Sequence, residues 1–288
     1  MIFITGASGN VGTAVVQALQ TRQVPLRIGS RKPDAVMAQD QIEVVPFDFL
    51  DAATFSTAVR GCQAVFLLRP PAISNTRETL NVLIDVARTE GIQSIVFVSV
   101  AGAADRPWVP HHAVEQCLQQ GSSGWTILRP GFFAQNFGDA YREDIVQLDR
   151  VIVPAGKGRV AFIDARDIAQ VAAKILLDPA PHHAKIYTLT GSEALSFAAA
   201  AQMLSEVLER TIAYDAASIP GYGWHLLRRK LPLAQILVQT VLHVGLRFGQ
   251  AESVDPALAQ LLEHPPRTLQ DYFQDHRELW LRSSLKSI

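Results

Sequence analysis

The sequence lacks an excess of charge of either sign. Its 288 residues include 26 lysines and arginines against 27 aspartates and glutamates, a formal net charge of −1 at pH 7. This balance provides no attraction toward nucleic acid or an anionic membrane, so neither is expected as a partner. Hydrophobic residues make up 48% and charged residues 18%. That composition is typical of a globular enzyme with a sizeable core.

Cysteine is also scarce. Cys62 and Cys117 are the only two, they lie far apart, and neither belongs to a Cys-x-x-Cys or Cys/His ligand pattern. We therefore expect no metal site, and we expect two buried free thiols in a reducing compartment.

A long uninterrupted apolar run is absent as well. Residues 231–248 form the longest apolar segment, and polar residues recur in it at every fourth position: Gln235, Gln239, His243 and Arg247. On a helix they form one stripe. Because a membrane span needs about 20 apolar residues, the pattern instead predicts an amphipathic helix packed on the protein surface. The first predicted strand begins at Ile2, which leaves no space for a signal peptide. We therefore expect a cytoplasmic protein without membrane contact.

Short apolar runs alternate with helical patterns over the first two-thirds of the chain. The predicted strands are residues 2–4, 25–28, 42–46, 64–68, 94–100, 125–128 and 186–189. The predicted helices between them are residues 11–20, 52–59, 76–88, 111–119 and 167–177. Continuous apolar strands indicate a sheet buried on both faces. Because right-handed crossovers are strongly favoured, the pattern predicts an α/β fold with a doubly wound, parallel, Rossmann-type sheet.

The pattern changes near residue 190. The predicted helices beyond it are residues 196–208 with Ser196 as N-cap, 219–259 with breaks at Pro220-Gly221 and near Gly249, and 271–279. We therefore predict a nucleotide-binding Rossmann domain over residues 1–190. Residues 191–288 are expected to form a small, mostly helical substrate or cap region that does not fold independently.

A glycine-rich loop follows the first predicted strand and opens the first helix. It has the Gly-x-x-Gly-x-x-Gly form of the dinucleotide fingerprint. Gly6 permits the tight turn, Gly9 lets the backbone approach a pyrophosphate, and Gly12 allows close packing of the helix. The amides at the helix N-terminus then hold the anion. The predicted cofactor-binding residues of this loop are Gly6, Ser8, Gly9, Asn10, Val11 and Gly12.

The residues at the end of the second predicted strand indicate whether the cofactor is NAD(H) or NADP(H). NAD-selective sites usually place a carboxylate there for the ribose hydroxyls. This chain instead has Ser30-Arg31-Lys32, with no acidic residue before Asp34. Arg31 can stack on the adenine and pair with a 2′-phosphate, with Ser30 and Lys32 as further donors. A solvated basic loop is the alternative interpretation, and we predict NADP(H) in preference to NAD(H).

Asp48 and Phe49 follow the third predicted strand. The chain passes beneath the adenine at this point in a Rossmann fold. Asp48 is expected to accept a hydrogen bond from the adenine amino group, with Phe49 packed nearby. Asp51 is expected to be a helix N-cap.

Five sequence blocks occur in order along the chain. They are Thr-Gly-Ala-Ser-Gly-Asn-Val-Gly at 5–12, Val-Phe-Leu-Leu-Arg-Pro-Pro at 65–71, His-His-Ala-Val-Glu at 111–115, Trp-Thr-Ile-Leu-Arg-Pro-Gly-Phe-Phe-Ala-Gln-Asn at 125–136 and Phe-Ile-Asp-Ala-Arg-Asp-Ile-Ala at 162–169. Together these blocks resemble the NmrA-like branch of the atypical short-chain dehydrogenases/reductases. The likeness runs in order from residue 1 to about 190. This branch includes both reductases and nucleotide sensors.

The resemblance implies that residues after the fourth, fifth and sixth strands contact the cofactor. These are Leu68, Arg69, Pro70, Ser99, Pro130, Gly131 and Phe132, with Phe133 and Asn136 in the implied substrate pocket. All of them follow carboxyl ends of parallel strands, where ligands bind in open α/β folds.

The chain departs from the wider class at the catalytic pair. Dehydrogenases of this class use Tyr-x-x-x-Lys, in which the phenol transfers the proton and the ammonium lowers its pKa. If Glu115 aligns with the acidic residue one turn after that lysine, His111 takes the lysine position and Pro107 the tyrosine position. Sugar-nucleotide epimerase chemistry is therefore disfavoured. Ser99, His111 and His112 remain as candidate proton donors, the histidines because an ordinary histidine pKa is near neutrality. A pair that caps the helix or faces solvent is the alternative.

These features predict an NADPH-dependent reductase of a small apolar acceptor such as a quinone. Tyr222, Trp224 and the apolar side of residues 231–248 are expected to form part of the pocket wall. The missing catalytic pair motivates a second hypothesis, a protein that binds NADP(H) without turnover and reports redox state to a regulatory partner. A non-redox enzyme with a tightly bound nucleotide is a third. Oligomerisation is compatible with each.

Overall fold

The computed structural model describes residues 1–33, 41–121 and 123–281. Its strands are, in chain order, β1 (Ile2–Ile4), β2 (Leu26–Ser30), β3 (Ile42–Pro46), β4 (Ala64–Leu68), β5 (Ser94–Val98), β6 (Gly124–Pro130), β7 (Phe132–Phe133), β8 (Arg150–Val153), β9 (Arg159–Val160), β10 (Phe162–Ile163), β11 (Lys185–Leu189), β12 (Leu195–Ser196) and β13 (Ala213–Ala216). Its α-helices are α1 (Asn10–Gln20), α2 (Phe55–Val59), α3 (Leu80–Thr89), α4 (Pro110–Gln119), α5 (Arg142–Leu148), α6 (Ala165–Leu177), α7 (Phe197–Leu208), α8 (Ile219–Arg228), α9 (Leu233–Arg247), α10 (Ala257–Leu262) and α11 (Leu269–Asp275).

Seven strands form one sheet in the order β11-β6-β5-β4-β1-β2-β3. Every neighbouring pair in it is parallel. The chain moves outward from β1 through β2 and β3, then returns to β4 on the other side of β1 and continues outward to β11. This reversal creates a switch point beside the carboxyl end of β1, where open α/β sheets bind their ligands. The doubly wound, Rossmann-type prediction is confirmed.

Helices cover both faces of this sheet. Helices α1 and α6 pack against each other, and α3 packs between α2 and α4. Strand residues such as Phe3, Leu67 and Phe97 share one hydrophobic core with α2, α3 and α4. The alternate strand residues, among them Ile4 and Phe66, are equally buried. Burial on both faces is why the strands are continuously apolar.

The chain divides into two compact units. The first contains Met1–Pro130 and Ala165–Leu189, and therefore the seven-stranded sheet; the second contains Gly131–Asp164 and the chain from Thr190 onward. Residues 131–164, which the sequence analysis assigns to the dinucleotide-binding part, thus cluster with the C-terminal region. Two short strand pairs explain this, because β8 pairs with β13 and β9 with β12, while β7 pairs with β10 within the segment itself.

The C-terminal helices follow the predicted pattern with one correction. Helix α7 is capped by Ser196, whose Oγ accepts from the Ala199 amide at 3.1 Å, as predicted. The predicted break at Pro220-Gly221 is wrong, because Pro220 occupies the first turn of α8, where no amide hydrogen is needed. The interruption lies instead between α8 and α9. Helix α9 ends at Arg247, close to the predicted break at Gly249.

Helix α9 turns its apolar side outward, whereas the sequence pattern predicted that this side packs on the protein. The middle of its polar stripe faces inward, while Gln235 and Arg247 are exposed. His243 is 4% exposed, its Nε2 accepts from the Tyr141 hydroxyl at 2.5 Å, and its Nδ1 donates to the Gln239 carbonyl at 2.6 Å. The helix also lies against the chain at Gly158, where a Cβ would collide with the Leu246 carbonyl oxygen. The apolar side is exposed. The expectation that this side packs on the protein, or lines a pocket, is therefore wrong.

Within the described parts of the chain, no helix has the length and apolar character needed to cross a membrane. Cys62 is a buried free thiol, and Cys117 is a half-buried one.

Candidate functional site

The glycine loop connects β1 to α1 in the first unit, as predicted. Gly6 has φ of +66°, a left-handed conformation that glycine adopts at little cost. A Cβ on Gly12 would collide with the Gly6 carbonyl oxygen, so only glycine permits this close approach. The Thr13 hydroxyl closes the loop by donating to the Ala7 carbonyl at 2.8 Å. Gly6 and Gly12 are thus required by the fold itself.

Gly9 differs from the other two glycines of the loop. A Cβ there would make only an ordinary contact, 3.6 Å from the Gly6 carbonyl oxygen. Its φ of −92° and ψ of 167° are extended backbone that other residues adopt. Gly9 is the N-cap of α1 and has no side chain to cap the helix, and the first turn contains no acidic residue. Ser8, Gly9 and Asn10 are exposed. The N-terminus of α1 is therefore accessible, and its positive end attracts an anion.

A buried threonine that the sequence analysis did not single out connects the loop to the next strand. The Thr5 amide donates to the Phe66 carbonyl at 3.0 Å, and its Oγ1 accepts from the Leu68 amide at 2.8 Å. Leu68 in turn packs on Gly6, where a Cβ would lie 2.9 Å from the leucine Cδ2. The carboxyl ends of β1 and β4 are thereby held together at the switch point.

The end of β2 carries the two predicted cations. Arg31 and Lys32 are both exposed, and neither forms an ion pair in the described part of the chain. The Ser30 hydroxyl accepts from the Lys32 amide at 3.1 Å, which shapes the turn. Asp34 lies outside the described residues. The two cations are thus available to an anionic group at this end of the sheet.

Asp48 and Phe49 follow β3, and both have internal contacts. Asp48 Oδ1 accepts from the Leu50 amide at 3.0 Å, while Phe49 is buried with its ring centroid 4.8 Å from that of Phe47. Asp51 accepts from the Ala53 amide and caps a 3₁₀ turn at Ala52–Thr54, as predicted. Asp48 therefore shapes a turn with one carboxylate oxygen, and its contact with adenine stays a prediction.

Arg69, after β4, stabilises its own loop. Its Nη1 donates to the carbonyls of Pro70, Pro71 and Ile73, and its Nε donates to His111 Nε2 at 3.2 Å. The guanidinium thus holds the loop of residues 69–73 against the first turn of α4. This positions Leu68 and Pro70, which are half-buried at the same edge of the sheet.

Ser99 belongs to a buried polar network. Its hydroxyl donates to Glu115 Oε1 at 2.5 Å, and Arg129 binds the same carboxylate through Nε at 2.9 Å and Nη2 at 2.5 Å. Ser99 and Glu115 are almost completely buried. The network joins the carboxyl end of β5, helix α4 and the end of β6 just before Pro130. Glu115 and Arg129 are site-shaping residues that the sequence analysis did not assign; a charged pair within otherwise apolar blocks was the available signal.

The two histidines of α4 differ from the expectation. His111 is buried, and burial together with the nearby Arg69 guanidinium lowers its pKa to about 4. Its Nε2 accepts from Arg69, so the proton lies on Nδ1, which has no partner among the described residues. The near-neutral pKa expected for His111 is therefore wrong, since desolvation favours the uncharged ring. His112 is half-buried and donates from Nδ1 to the Ala103 carbonyl at 2.9 Å.

The remaining predicted residues follow β6 in sequence and belong to the second unit, Pro130 excepted. Phe132 and Phe133 form β7, and Asn136 lies in a 3₁₀ turn, Ala134–Phe137. The Phe132 ring packs edge-on against His243 with centroids 5.7 Å apart. Gly131, Phe132, Phe133 and Asn136 are all half-buried. Their contacts with cofactor or substrate stay predictions.

These features define a nucleotide-binding α/β protein, and comparison with known proteins names its family. The sequence model of the family described as NAD(P)H-binding matches residues 6–179. An NAD(P)H azoreductase of Xenophilus azovorans is 32% identical over 229 residues, covering 76% of this chain and 78% of that protein. The NADPH-dependent quinone oxidoreductase QOR2 of Escherichia coli, solved with NADPH, matches with a TM-score of 0.86 and 25% identity over 96% of this chain and all of that one.

The fold is also shared by a regulator. A structure of NmrA, a negative transcriptional regulator in complex with NADP, matches with a TM-score of 0.76 at 16% identity over 96% of this chain and 94% of that one. The chain belongs to the NAD(P)H-binding family, and it shares its fold with NmrA.

Proposed function

We propose that this protein is an NADPH-dependent reductase of a small apolar electron acceptor, with a quinone as the first candidate. The observation that carries the proposal is the exposed N-terminus of α1, where Gly9 is not required by the fold. A glycine that the protein itself does not need is explained by a ligand that approaches its backbone.

The residues at this edge of the sheet fit a dinucleotide. The amides at the start of α1 would hold the pyrophosphate, and Leu68, Pro70 and Pro130 would border the nicotinamide half. Arg31 and Lys32 would bind the 2′-phosphate of the adenosine ribose, because they are exposed cations at the end of β2 that form no ion pair with any carboxylate of the described residues. We therefore propose selectivity for NADPH over NADH. The azoreductase and quinone oxidoreductase relatives support reductase chemistry.

The bound nicotinamide supplies a hydride, and a quinone that accepts it takes up one proton to become a quinol. His111 contributes a neutral Nδ1–H as a hydrogen-bond donor, since burial keeps the ring uncharged. Ser99 and His112 are the other donors, and each already donates to an internal acceptor. Proton transfer from either one breaks an existing hydrogen bond, so the main contribution of the protein is positioning and exclusion of water. Phe133 and Asn136 are proposed to contact the acceptor.

Two measurements test this function. Purified protein is titrated with NADPH and NADH, and NADPH oxidation is then followed at saturating cofactor with a panel of small quinones. We expect tighter binding of NADPH and acceptor-dependent oxidation. Equal affinity for the two nucleotides contradicts the proposed selectivity for NADPH. Tight binding without oxidation by any quinone contradicts the proposed reductase activity.

A redox-sensing protein is the second candidate. One observation favours it: the Ser99 hydroxyl already donates to a buried carboxylate, and burial lowers the pKa of His111 to about 4, so the uncharged ring holds no acidic proton to transfer at neutral pH. A protein with this arrangement can bind NADP(H) without turnover and signal through a partner. Such a sensor binds the oxidised and reduced cofactor with clearly different affinities and shows no turnover. Equal affinities for NADP⁺ and NADPH contradict it.

A further inference from the structure

Helix α9 presents an exposed apolar face formed by Leu233, Leu237, Val238, Val241 and Leu242. Their exposed fractions lie between 52% and 75%. At 100° per residue these positions span one half of the helix surface, opposite the side that carries Gln239, His243 and Leu246. A helix of a globular protein normally turns such a stripe toward a core. Here the orientation is fixed the other way by the buried hydrogen bond between His243 and Tyr141.

The face is large enough to be an interface. Five side chains exposed by more than half present roughly 500 Å² of contiguous apolar surface, toward the upper end for the largest patch of a monomer. Two such faces in contact bury roughly 1,000 Å² in total, the size at which specific protein interfaces begin. The exposed Phe248, immediately after the helix, adds to this area.

The charge pattern of α9 favours a second copy of this chain as the partner of the apolar face. Helix α9 contains no acidic residue, and its only permanently charged side chain is Arg247 in the last turn. The apolar face itself carries no charge, so it is complementary to a second copy of itself. An antiparallel pair places the two Arg247 side chains at opposite ends and opposes the helix dipoles, whereas a parallel pair brings like charges together. A two-fold symmetric dimer requires this kind of self-complementary surface.

We propose that a second copy of this chain packs on the apolar face of α9, giving a two-fold symmetric dimer with antiparallel α9 helices. Leu237, Val238, Val241 and Leu242 lie at its centre and are covered by the same residues of the partner copy. The proposal is independent of the cofactor and of catalysis.

The test is the oligomeric state of the full chain and two variants, measured by sedimentation velocity between about 1 and 100 µM. Wild type is expected to be a dimer. Leu237→Glu places a charge from each copy in the apolar contact and is expected to weaken dimerisation at least about 100-fold, leaving a monomer. Gln260→Glu is the matched control, since it adds the same charge at an exposed position of α10, a different helix of the same unit; it is expected to remain a dimer.

Circular dichroism and NADPH binding show whether Leu237→Glu is folded, and because Leu237 is exposed, both are expected to match wild type. A wild type that is monomeric at every concentration overturns the proposal, including the case in which the monomer binds lipid vesicles. A folded Leu237→Glu variant that remains a dimer overturns it too, because the interface then lies elsewhere.

Discussion

The glycine loop of the first unit and helix α9 of the second carry equally clear sequence patterns, but only one pattern predicts the structure. In the loop, the contacts that require Gly6 and Gly12 lie within a few residues or on the adjacent strand β4. In α9, His243 of the polar stripe is buried against Tyr141, which is 102 residues away in sequence. A local pattern is therefore reliable where the backbone itself sets the constraint. It fails where a distant side chain supplies the partner.

The largest effect is expected inside the loop. Gly9→Val should weaken NADPH binding by about 100-fold or more, because its side chain occupies the space of the pyrophosphate. The melting temperature should fall only slightly, because valine is a poorer N-cap than glycine but the backbone at Gly9 is extended and unobstructed. Gly12→Val is the matched comparison, and it should lower both binding and stability by colliding with the Gly6 carbonyl. Titration and thermal unfolding of both variants measure this. If Gly9→Val binds NADPH with wild-type affinity, the glycine loop does not belong to the nucleotide site.

The buried network of the first unit should show the next largest effect. Glu115→Gln leaves the Arg129 guanidinium without its counter-charge and should cost about 3 kcal/mol of unfolding free energy. Glu43→Gln removes the partner of Arg27 at a largely exposed carboxylate, and should cost less than about 1 kcal/mol. Urea unfolding distinguishes the two. Equal losses contradict the assignment of Glu115 as the residue that joins β5, α4 and β6.

The cations after β2 should have an intermediate effect. Arg31→Glu should weaken NADPH binding by about 30-fold and NADH binding much less, because only NADPH carries the 2′-phosphate. Arg22→Glu reverses an exposed cation after α1 and serves as the control. The ratio of the two dissociation constants is the measurement. A ratio that stays at the wild-type value excludes Arg31 from the nucleotide site.

The inward face of α9 should make stability depend on pH. Burial lowers the pKa of His243 from 6.5 to about 4. Between pH 6.5 and pH 4 His243 is therefore protonated in the unfolded chain but not in the folded chain. The free energy of unfolding that is present above pH 6.5 decreases as the pH falls toward 4. Between pH 7 and pH 5 this amounts to about 2 kcal/mol for His243. His111 in the first unit adds a similar amount. Urea unfolding of His243→Gln at pH 7 and pH 5 should show a smaller loss of unfolding free energy than wild type. An equal loss in the two proteins contradicts the assignment to His243.

The smallest effect is expected for the hydrogen bond that orients α9. Tyr141→Phe leaves His243 Nε2 buried without a donor and should cost about 1 kcal/mol at pH 7, while keeping the pH dependence of the histidine. Urea unfolding at pH 7 and pH 5 measures both. A stability equal to wild type means that the close contact at Gly158, rather than the hydrogen bond, orients the helix.

Most of the candidate site could be predicted because its parts are local. The loop follows β1, the cations follow β2, and parallel strands bring their carboxyl ends to one edge. The role of Arg69, the burial of His111 and the Ser99–Glu115–Arg129 network could not be predicted. Each depends on a partner from another strand or helix, and a single sequence does not show which polar groups meet when the sheet forms.

The sequence by itself determined the parallel α/β order, the glycine loop, the cations after β2 and the cap of α7. These features depend on backbone geometry and strand burial, which act over a few residues. Only the tertiary structure decided the assignment of residues 131–164 to the second unit, the pKa of His111 and the face that α9 turns inward. Strand pairing, desolvation and buried hydrogen bonds join residues that are far apart in the chain, and their energies exist only once the chain is folded.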